Sequence, residues 1–199
     1  MNKLVLVLFL LTSQFVFAQD QMYNICPIKV GQEVPSVSLQ NIAGEDVTLS
    51  SIVSEQPTVV VFYRGAWCPY CTKHLAELND AKADIEKLGY QIIGVTVDKA
   101  EKLALSNEKS GSDITVFSDA KLDAIKAFGL DWNVGDELYG KYKDKYKLDL
   151  EEWSGQDHHS LPVPAIFIIK DNVVEFQYVN PDYSTRLKPE SIIALIGTI

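Results

Sequence analysis

Cysteine is scarce in this sequence: the chain has three in 199 residues, at positions 26, 68 and 71. A domain held together by disulfide cross-links needs more cysteines, spread along the chain. Two of the three form a Cys68-x-x-Cys71 pair, and a disulfide that closes so short a loop contributes little to stability through chain entropy. Chemistry therefore explains the pair better than structural cross-linking does.

Positive charge is also in short supply. The chain carries 18 lysines and arginines against 27 aspartates and glutamates, which gives a formal net charge of −9. Surfaces that bind nucleic acid or anionic lipid usually carry an excess of positive charge. The charge balance therefore argues against nucleic acid or an anionic membrane as the partner.

The hydrophobic run near the N-terminus is too short for a stable membrane anchor. It covers residues 4–11, whereas a membrane-spanning helix needs roughly 20 apolar residues. It follows Lys3 and precedes Val16-Phe17-Ala18, whose residues suit the positions that a signal peptidase reads. We therefore predict a signal peptide over residues 1–18, cleaved near Ala18, and a chain exported to the periplasm or out of the cell.

The rest of the chain shows no internal repeat and no low-complexity tract, and we interpret it as one domain. Residues 19–36 are predicted to be an entry segment, and the domain covers residues 37–199. Residues 130–157 are rich in Asp, Lys, Tyr and Trp and interrupt the pattern of the domain. We predict an insertion that carries a polar helix or a lid; the alternative is a solvated surface segment.

Hydrophobic periodicity predicts alternating strands and helices, and hence an α/β sheet with helices on both faces. Residues 37–49 are predicted to form a β-hairpin, which precedes the first buried strand. The predicted strands are residues 58–63, 90–97, 114–117, 165–169 and 173–179, and the predicted helices are residues 68–88, 100–109, 121–128 and 189–196.

Cys68 falls where the first buried strand gives way to a helix. The first turn of a helix has unpaired amide groups and the positive end of the helix dipole, and both stabilise a thiolate. Cys71 follows one turn later, so that its sulfur can reach Cys68, and Pro69 suits the first helical position. Arg64 and Lys73 could add positive potential; the alternative for each is an ordinary solvated charge.

A zinc site is the main rival interpretation of any Cys-x-x-Cys pair. One such pair supplies only two of the four ligands that structural zinc takes, and His158 and His159 lie far along the chain. We expect these histidines in the loop before a core strand, facing either the active site or solvent. His74 is expected on the surface, and Cys26 is expected to be a free or partner-seeking thiol.

The block Phe62-Tyr63-Arg64-Gly65-Ala66-Trp67-Cys68-Pro69-Tyr70-Cys71 resembles the active-site block of the peroxiredoxin-like proteins of the AhpC/TSA family, in the thioredoxin superfamily. The resemblance extends over about residues 29–197. It implies a thioredoxin-like fold: a central mixed sheet flanked by helices, with an N-terminal β-hairpin extension and an insertion before the proline loop. Residues 161–165 resemble the superfamily loop whose cis-proline packs against the active-site disulfide, and the resemblance gives that role to Pro164.

The resemblance also implies a reaction. Cys68 would be the attacking cysteine, oxidised by peroxide to a sulfenic acid, and Cys71 would condense with it to a disulfide that an external thiol donor reduces. The protein would then be an antioxidant oxidoreductase that needs no cofactor and no metal. The candidate catalytic residues are Cys68, Cys71, Pro164, Arg64 and Trp67.

Two departures from the family pattern keep other functions open. Typical peroxiredoxins carry Pro-x-x-x-Thr/Ser-x-x-Cys, whereas the first two of these positions are Val61 and Gly65 here. Reducing thioredoxins have a carboxylate at the position of Phe62, so Cys71 is expected to lack an internal proton acceptor. A thiol–disulfide oxidoreductase acting on exported proteins is therefore an alternative, and a metal-handling module is a third reading.

Overall fold

A computed structural model describes residues 25–199 of the chain, and the predicted signal peptide at residues 1–18 lies outside them. The strands are β1 (Ser38–Gln40), β2 (Asp46–Thr48), β3 (Thr58–Phe62), β4 (Gln91–Thr96), β5 (Thr115–Ser118), β6 (Asp131–Asn133), β7 (Ser160–Pro162), β8 (Ala165–Lys170) and β9 (Val173–Val179). The α-helices are α1 (Leu49–Glu55), α2 (Pro69–Asp80), α3 (Lys82–Lys87), α4 (Leu103–Ser110), α5 (Asp123–Ala127), α6 (Gly135–Tyr146), α7 (Leu150–Ser154) and α8 (Pro189–Ile196), and a short 3₁₀ helix (Ala100–Lys102) precedes α4.

Seven strands form one mixed sheet in the order β2-β1-β5-β4-β3-β8-β9. The three strands β3, β4 and β5 are parallel, while β8 pairs antiparallel with β3 and β9. The hairpin β1–β2 extends the sheet beyond β5, and β6 and β7 form a separate pair. The mixed sheet predicted from the sequence is confirmed.

The central strand β3 contributes to hydrophobic cores on both faces of the sheet. Val60 and Phe62 face a cluster that includes residues of α1 and α5, whereas Val59 and Val61 face a cluster that includes residues of α2, α3, α4 and α8. All five residues of β3 are buried, as a strand covered on both faces requires. This double burial fixes the end of β3 from which the loop to Cys68 departs.

Two predicted features of the helices are wrong. The helix expected from Cys68 to Leu88 is divided at Ala81 into α2 and α3. His74 on α2 is 3% exposed rather than at the surface, and its Nε2 lies 3.0 Å from the carbonyl oxygen of Leu187. The apolar spacing of α2 gives no sign that His74 is buried, because His74 is polar. A polar side chain is buried where it has a hydrogen-bond partner, and here that partner is the carbonyl of Leu187.

The segment 130–157 is folded onto the domain. It supplies β6, α6 and α7, and its Leu150 is buried in the same hydrophobic core as residues of α1 and α5. The α6 side chains Leu138, Tyr139 and Tyr142 pack partly buried against the same core. Asp149 caps the first turn of α7 through the amide of Glu151. The segment therefore forms a wall of the domain.

Two further facts concern residues 25–199. In the part of the chain that the structure describes, no helix is both long and apolar enough to cross a membrane. The chain before β1 is held by backbone hydrogen bonds, from the amide of Cys26 to Gly129 at 3.2 Å and from the amide of Val34 to Asn172 at 2.9 Å.

Gly129 allows the chain before β1 to approach α5. Its φ is +68°, and a Cβ at this position would overlap the backbone carbonyl of Cys26. Gly111 has a similar φ of +65° but open space around it. We expect Gly111→Ala to lower the free energy of unfolding by about 1 kcal/mol through the left-handed conformation alone. Gly129→Ala should lower it by about 3 kcal/mol or more, because strain adds to that cost.

Urea unfolding curves of the two variants and the wild type measure this difference. Equal destabilisation by both substitutions would contradict the packing of the Cys26 backbone on Gly129.

Candidate active site

Cys68 is the N-cap of α2. Its backbone is extended, with φ −90° and ψ 111°, and Pro69 takes the first helical position. The carbonyl of Cys68 already accepts hydrogen bonds from the amides of Cys71 and Thr72, each at 3.0 Å. Its sulfur therefore lies at the positive end of the helix, as the sequence predicts.

The surroundings of Cys68 favour its thiolate. A hydrogen bond with the thiol of Cys71 and the positive charges of Arg64 and Arg186 outweigh the cost of burial, and they lower the Cys68 pKa to about 6. A thiol with that pKa is mostly ionised at neutral pH, and the thiolate is the nucleophilic form.

Cys71 has the opposite character. It is 1% exposed, and burial together with the neighbouring Cys68 raises its pKa well above the ordinary value. Arg186 donates from Nη2 to the Cys71 sulfur at 3.3 Å. Cys71 therefore holds its proton while Cys68 is ionised, an arrangement suited to one attacking and one reserve thiol.

Arg64 is a buried cation held by aromatic rings. It is 4% exposed, its Nη2 donates to the hydroxyl of Tyr142 at 2.6 Å, and its guanidinium lies 4.3 Å from the ring centre of Tyr183 and 5.1 Å from that of Trp67. No ion pair within residues 25–199 joins it to a carboxylate. A buried charge needs compensation, and the thiolate of Cys68, whose pKa the Arg64 charge lowers, supplies it.

A cleft of about 680 Å³ opens over Cys68. Its walls are mainly aromatic and aliphatic, with three cationic side chains among them, and the segment 130–157 supplies more than half of the lining. The lining residues are Arg64, Trp67, Cys68, Pro69, Tyr70, Trp132, Leu138, Lys141, Tyr142, Tyr146, Lys147, Leu148, Trp153 and Tyr183. The cleft thus offers apolar surface directly above the reactive sulfur.

Gly65 leaves no room for a side chain. Its φ is +153°, and a Cβ would overlap the indole Nε1 of Trp67 and lie 2.7 Å from Oδ1 of Asp98. The position at which typical peroxiredoxins carry a hydroxyl is therefore filled here by an indole and a buried carboxyl group.

Pro164 differs from its expected conformation. Every peptide bond in residues 25–199 is trans, so the cis-proline expected from the resemblance is wrong. The trans form is the lower-energy form of an X–Pro bond, and the chain here runs extended, with Val163 bonded to Leu130 and Pro164 accepting from Asn180. Pro164 is buried and borders a small space together with His74 and Arg186, outside the cleft over Cys68.

The remaining candidates lie away from the thiols. His158 accepts the Ser160 amide at Nδ1 and donates from Nε2 to the carbonyl of Ala120, and His159 stacks on Tyr139. Neither histidine lines the cleft. Lys73 is exposed and pairs with Glu77. Among residues 25–199, no group of three or more His, Cys, Asp or Glu side chains is placed to hold a metal ion.

Sequence reasoning missed four residues of the site: Asp98, Tyr142, Tyr183 and Arg186. Asp98 follows β4, and because β3 and β4 are parallel it lies at the same sheet edge as the loop before Cys68; this placement could have been predicted. Tyr142 could not, because its contact with Arg64 joins residues 78 positions apart.

Comparison with known proteins gives a consistent result. The model of the AhpC/TSA family matches residues 30–177. The chain is 33% identical to "Peroxiredoxin Bcp" of Escherichia coli over 147 residues. The aligned residues cover 68% of this chain and 93% of that protein. It is 28% identical over 127 residues to "Peroxiredoxin Q, chloroplastic" of Suaeda salsa, or 63% of this chain and 57% of that protein.

Solved structures share the fold. Peroxidoxin BcpB from Mycobacterium tuberculosis superposes with a TM-score of 0.65 at 21% identity, over 86% of this chain and 98% of that one. Reduced Prx3 from Vibrio vulnificus in complex with hydrogen peroxide gives 0.69 at 19% identity, over 85% of this chain and 99% of that one.

The environment of Cys68 predicts the effect of removing one charge. In the wild type, thiolate absorbance at ~240 nm should titrate with a midpoint near the Cys68 pKa of about 6. Arg64→Gln removes a positive charge that stabilises the thiolate, so the midpoint should rise, by about one unit or more. Lys73→Gln removes an exposed charge close by in sequence and should leave it unchanged. Equal shifts in both variants would contradict the specific pairing of Arg64 with Cys68.

Proposed function

Because this chain belongs to the AhpC/TSA family, we propose that it is a thiol-dependent peroxidase of the peroxiredoxin type, working through Cys68 and Cys71. One observation carries the proposal: a thiolate-forming Cys68 lies in the cleft beside Arg64, a buried cation that pairs with no carboxylate among residues 25–199. The fully buried Cys71 stands next to it as a second thiol.

The proposed cycle uses both sulfurs. The Cys68 thiolate attacks the terminal oxygen of a hydroperoxide, the O–O bond breaks, and the alcohol leaves after taking a proton. Cys68 is then a sulfenic acid, which Cys71 converts to a disulfide with release of water. An external dithiol, such as a thioredoxin-like protein, returns both sulfurs to the thiol state.

Arg64 takes the role that a hydroxyl plays in typical peroxiredoxins. It lines the cleft with Cys68, and its positive charge stabilises the negative charge that develops on the departing oxygen. Trp67 and Tyr142 hold the guanidinium in place through ring contacts. Pro164 shapes the chain beside Arg186, which in turn contacts Cys71.

Two parts of the sequence-based prediction remain: export of the chain, and the alternative function. Export to the periplasm or beyond is part of the proposal and is supported by the N-terminal residues 1–18. The comparisons give no support to the alternative of a thiol–disulfide oxidoreductase acting on exported proteins.

The peroxidase proposal predicts distinct behaviour of the two cysteine variants. With hydrogen peroxide in stopped flow, the wild type should be oxidised far faster than free cysteine. Cys68→Ser should abolish the reaction, because it removes the nucleophile. Cys71→Ser should react once and stop at a sulfenic acid, detected by mass spectrometry after dimedone labelling. A Cys68 rate no better than that of free cysteine would refute the proposal.

The walls of the cleft make a prediction about the peroxide. We propose that they admit bulky organic hydroperoxides, since Leu138 and Leu148 present apolar surface over Cys68. Leu138→Ala removes part of that surface but no polar contact of Arg64. It should raise KM for cumene hydroperoxide several-fold, as the loss of apolar contact area requires, and leave the rate with hydrogen peroxide unchanged. Parallel steady-state assays with both peroxides decide this.

A further inference from the structure

The mechanism requires Cys71 to lose a proton that its surroundings hold tightly. Cys71 is fully buried, and both burial and Cys68 disfavour its ionised form. Yet Cys71 must become a thiolate when it attacks the sulfenic acid, and it leaves as a thiolate when the disulfide is reduced. A group that exchanges protons with Cys71 in both directions is therefore needed.

Most ionisable side chains around the thiols are unsuitable. Arg64 and Arg186 are permanent cations and accept no proton. Burial raises the pKa of Tyr63 far above neutrality, and its hydroxyl is bonded to Ser106 at 2.8 Å. His74 has a pKa lowered to about 4 by burial, so it is a weak base. These properties leave one carboxyl group, which interacts electrostatically with both Cys71 and Tyr63.

That carboxyl group belongs to Asp98. It lies two residues beyond β4, is 0% exposed, and takes part in no ion pair within residues 25–199. Its Oδ2 accepts the amide of Ala66 at 2.7 Å, in the loop that leads to Cys68. Its Oδ1 is buried beside the indole Nε1 of Trp67, but the two atoms do not meet hydrogen-bond geometry, and neither has another partner. One oxygen is thus anchored to the loop, and the other, next to the Trp67 indole, is placed to take up a proton.

The absence of a side chain at Gly65 belongs to the same arrangement. A Cβ at this position would lie 2.7 Å from Oδ1 of Asp98 and would overlap the indole of Trp67. Glycine therefore provides the space in which the free carboxylate oxygen lies. The residue that costs the site the hydroxyl of typical peroxiredoxins also admits an acid–base group.

The electrostatics of Asp98 suit proton exchange near neutral pH. Burial is the largest effect and raises its pKa, the amide of Ala66 lowers it, Cys71 raises it, and the indole of Trp67 and the charge of Lys109 lower it, so that the pKa is about 7. Tyr63 also faces it, in the neutral form. An acid with that pKa gives and takes protons with little cost at physiological pH.

We propose that Asp98 exchanges the Cys71 proton during the catalytic cycle: its carboxylate accepts the proton when Cys71 attacks the sulfenic acid, and its carboxylic acid returns one when Cys71 leaves the disulfide. In the first step the new S–S bond forms, the S–O bond of Cys68 breaks, and the departing hydroxide takes a proton from solvent and leaves as water. In the second, one thiolate of a dithiol attacks Cys68, the S–S bond breaks and Cys71 takes the proton of Asp98; the other thiol of the dithiol then displaces Cys68 from the mixed disulfide. The proposal rests on the peroxidase function for the first step only.

Asp98→Asn tests the proposal, because an amide keeps the acceptor for Ala66 but cannot ionise. After mixing with hydrogen peroxide, the fast phase of the intrinsic tryptophan fluorescence (attack by Cys68) should be unchanged. The slow phase (disulfide formation) should be slower by roughly 10²-fold at pH 8, the usual size of an acid–base contribution. In the wild type the slow-phase rate should rise with pH and level off near 7, and the levelling should be absent in the variant.

Reduction of the disulfide form by dithiothreitol tests the second step and needs no peroxide. The pH also changes the ionisation of dithiothreitol, but this change is the same for both proteins. It therefore drops out when the wild-type rate is divided by the variant rate. Since the protonated acid is now required, this ratio should be largest below pH 7 and fall above it, opposite to the ratio for disulfide formation. A structural defect would lower both rates without this reversal.

Asp119→Asn is the matched control. Asp119 is 2% exposed and burial raises its pKa to about 7 as well, but its oxygens cap the amides of Ala124 and Ile125 away from the thiols. It should leave both rates unchanged. Asp98→Asn rates within twofold of the wild type from pH 5 to 9 would overturn the proposal.

If Asp98→Asn fails to fold, the wild type alone decides, because disulfide formation without a titration near pH 7 would equally overturn the proposal. If Cys68 does not react with peroxide, the peroxidase function fails, and the dithiothreitol experiment still tests Asp98.

Discussion

The parallel pairing of β3 with β4 is the constraint on which the active site depends. It puts the ends of both strands at one edge of the sheet, with Phe62 opposite Val95 and the amide of Tyr63 bonded to the carbonyl of Val95 at 3.0 Å. The loop to Cys68 leaves from one strand and Asp98 follows the other. Because β3 is buried on both faces, this edge cannot shift without exposing core on one face or the other.

The Cys68 thiolate and the two cations near it stabilise one another. Within residues 25–199 neither Arg64 nor Arg186 forms an ion pair with a carboxylate, and both charges lower the pKa of Cys68. The thiolate is therefore part of what makes the burial of Arg64 tolerable, as Arg64 is part of what makes Cys68 acidic. Replacing either changes the other, so the pair acts as one unit.

Much of the fold could be predicted from the sequence. The strands β3, β8 and β9 and the helix α8 were predicted nearly to their ends, because apolar periodicity and turn residues such as Asp171 and Asn172 mark them locally. The helix α1 was not predicted, since its short amphipathic pattern merges with the hairpin before it. The break at Ala81 was also missed, because α2 and α3 keep one apolar face and only the local backbone separates them.

The site divides in the same way. Cys68, Cys71 and Pro69 were placed correctly at the start of a helix, because their roles there depend on neighbours within one turn. The cage around Arg64 was not predictable, because Tyr142 and Tyr183 come from segments far along the chain. The conformation of Pro164 was expected from the resemblance and proved different. Gly65 is a separate departure from the family pattern: where a typical member carries a hydroxyl, Trp67 and Asp98 occupy the space here. Restoring the hydroxyl alone would collide with both, so this site is a connected alternative arrangement and not the familiar one with a part removed.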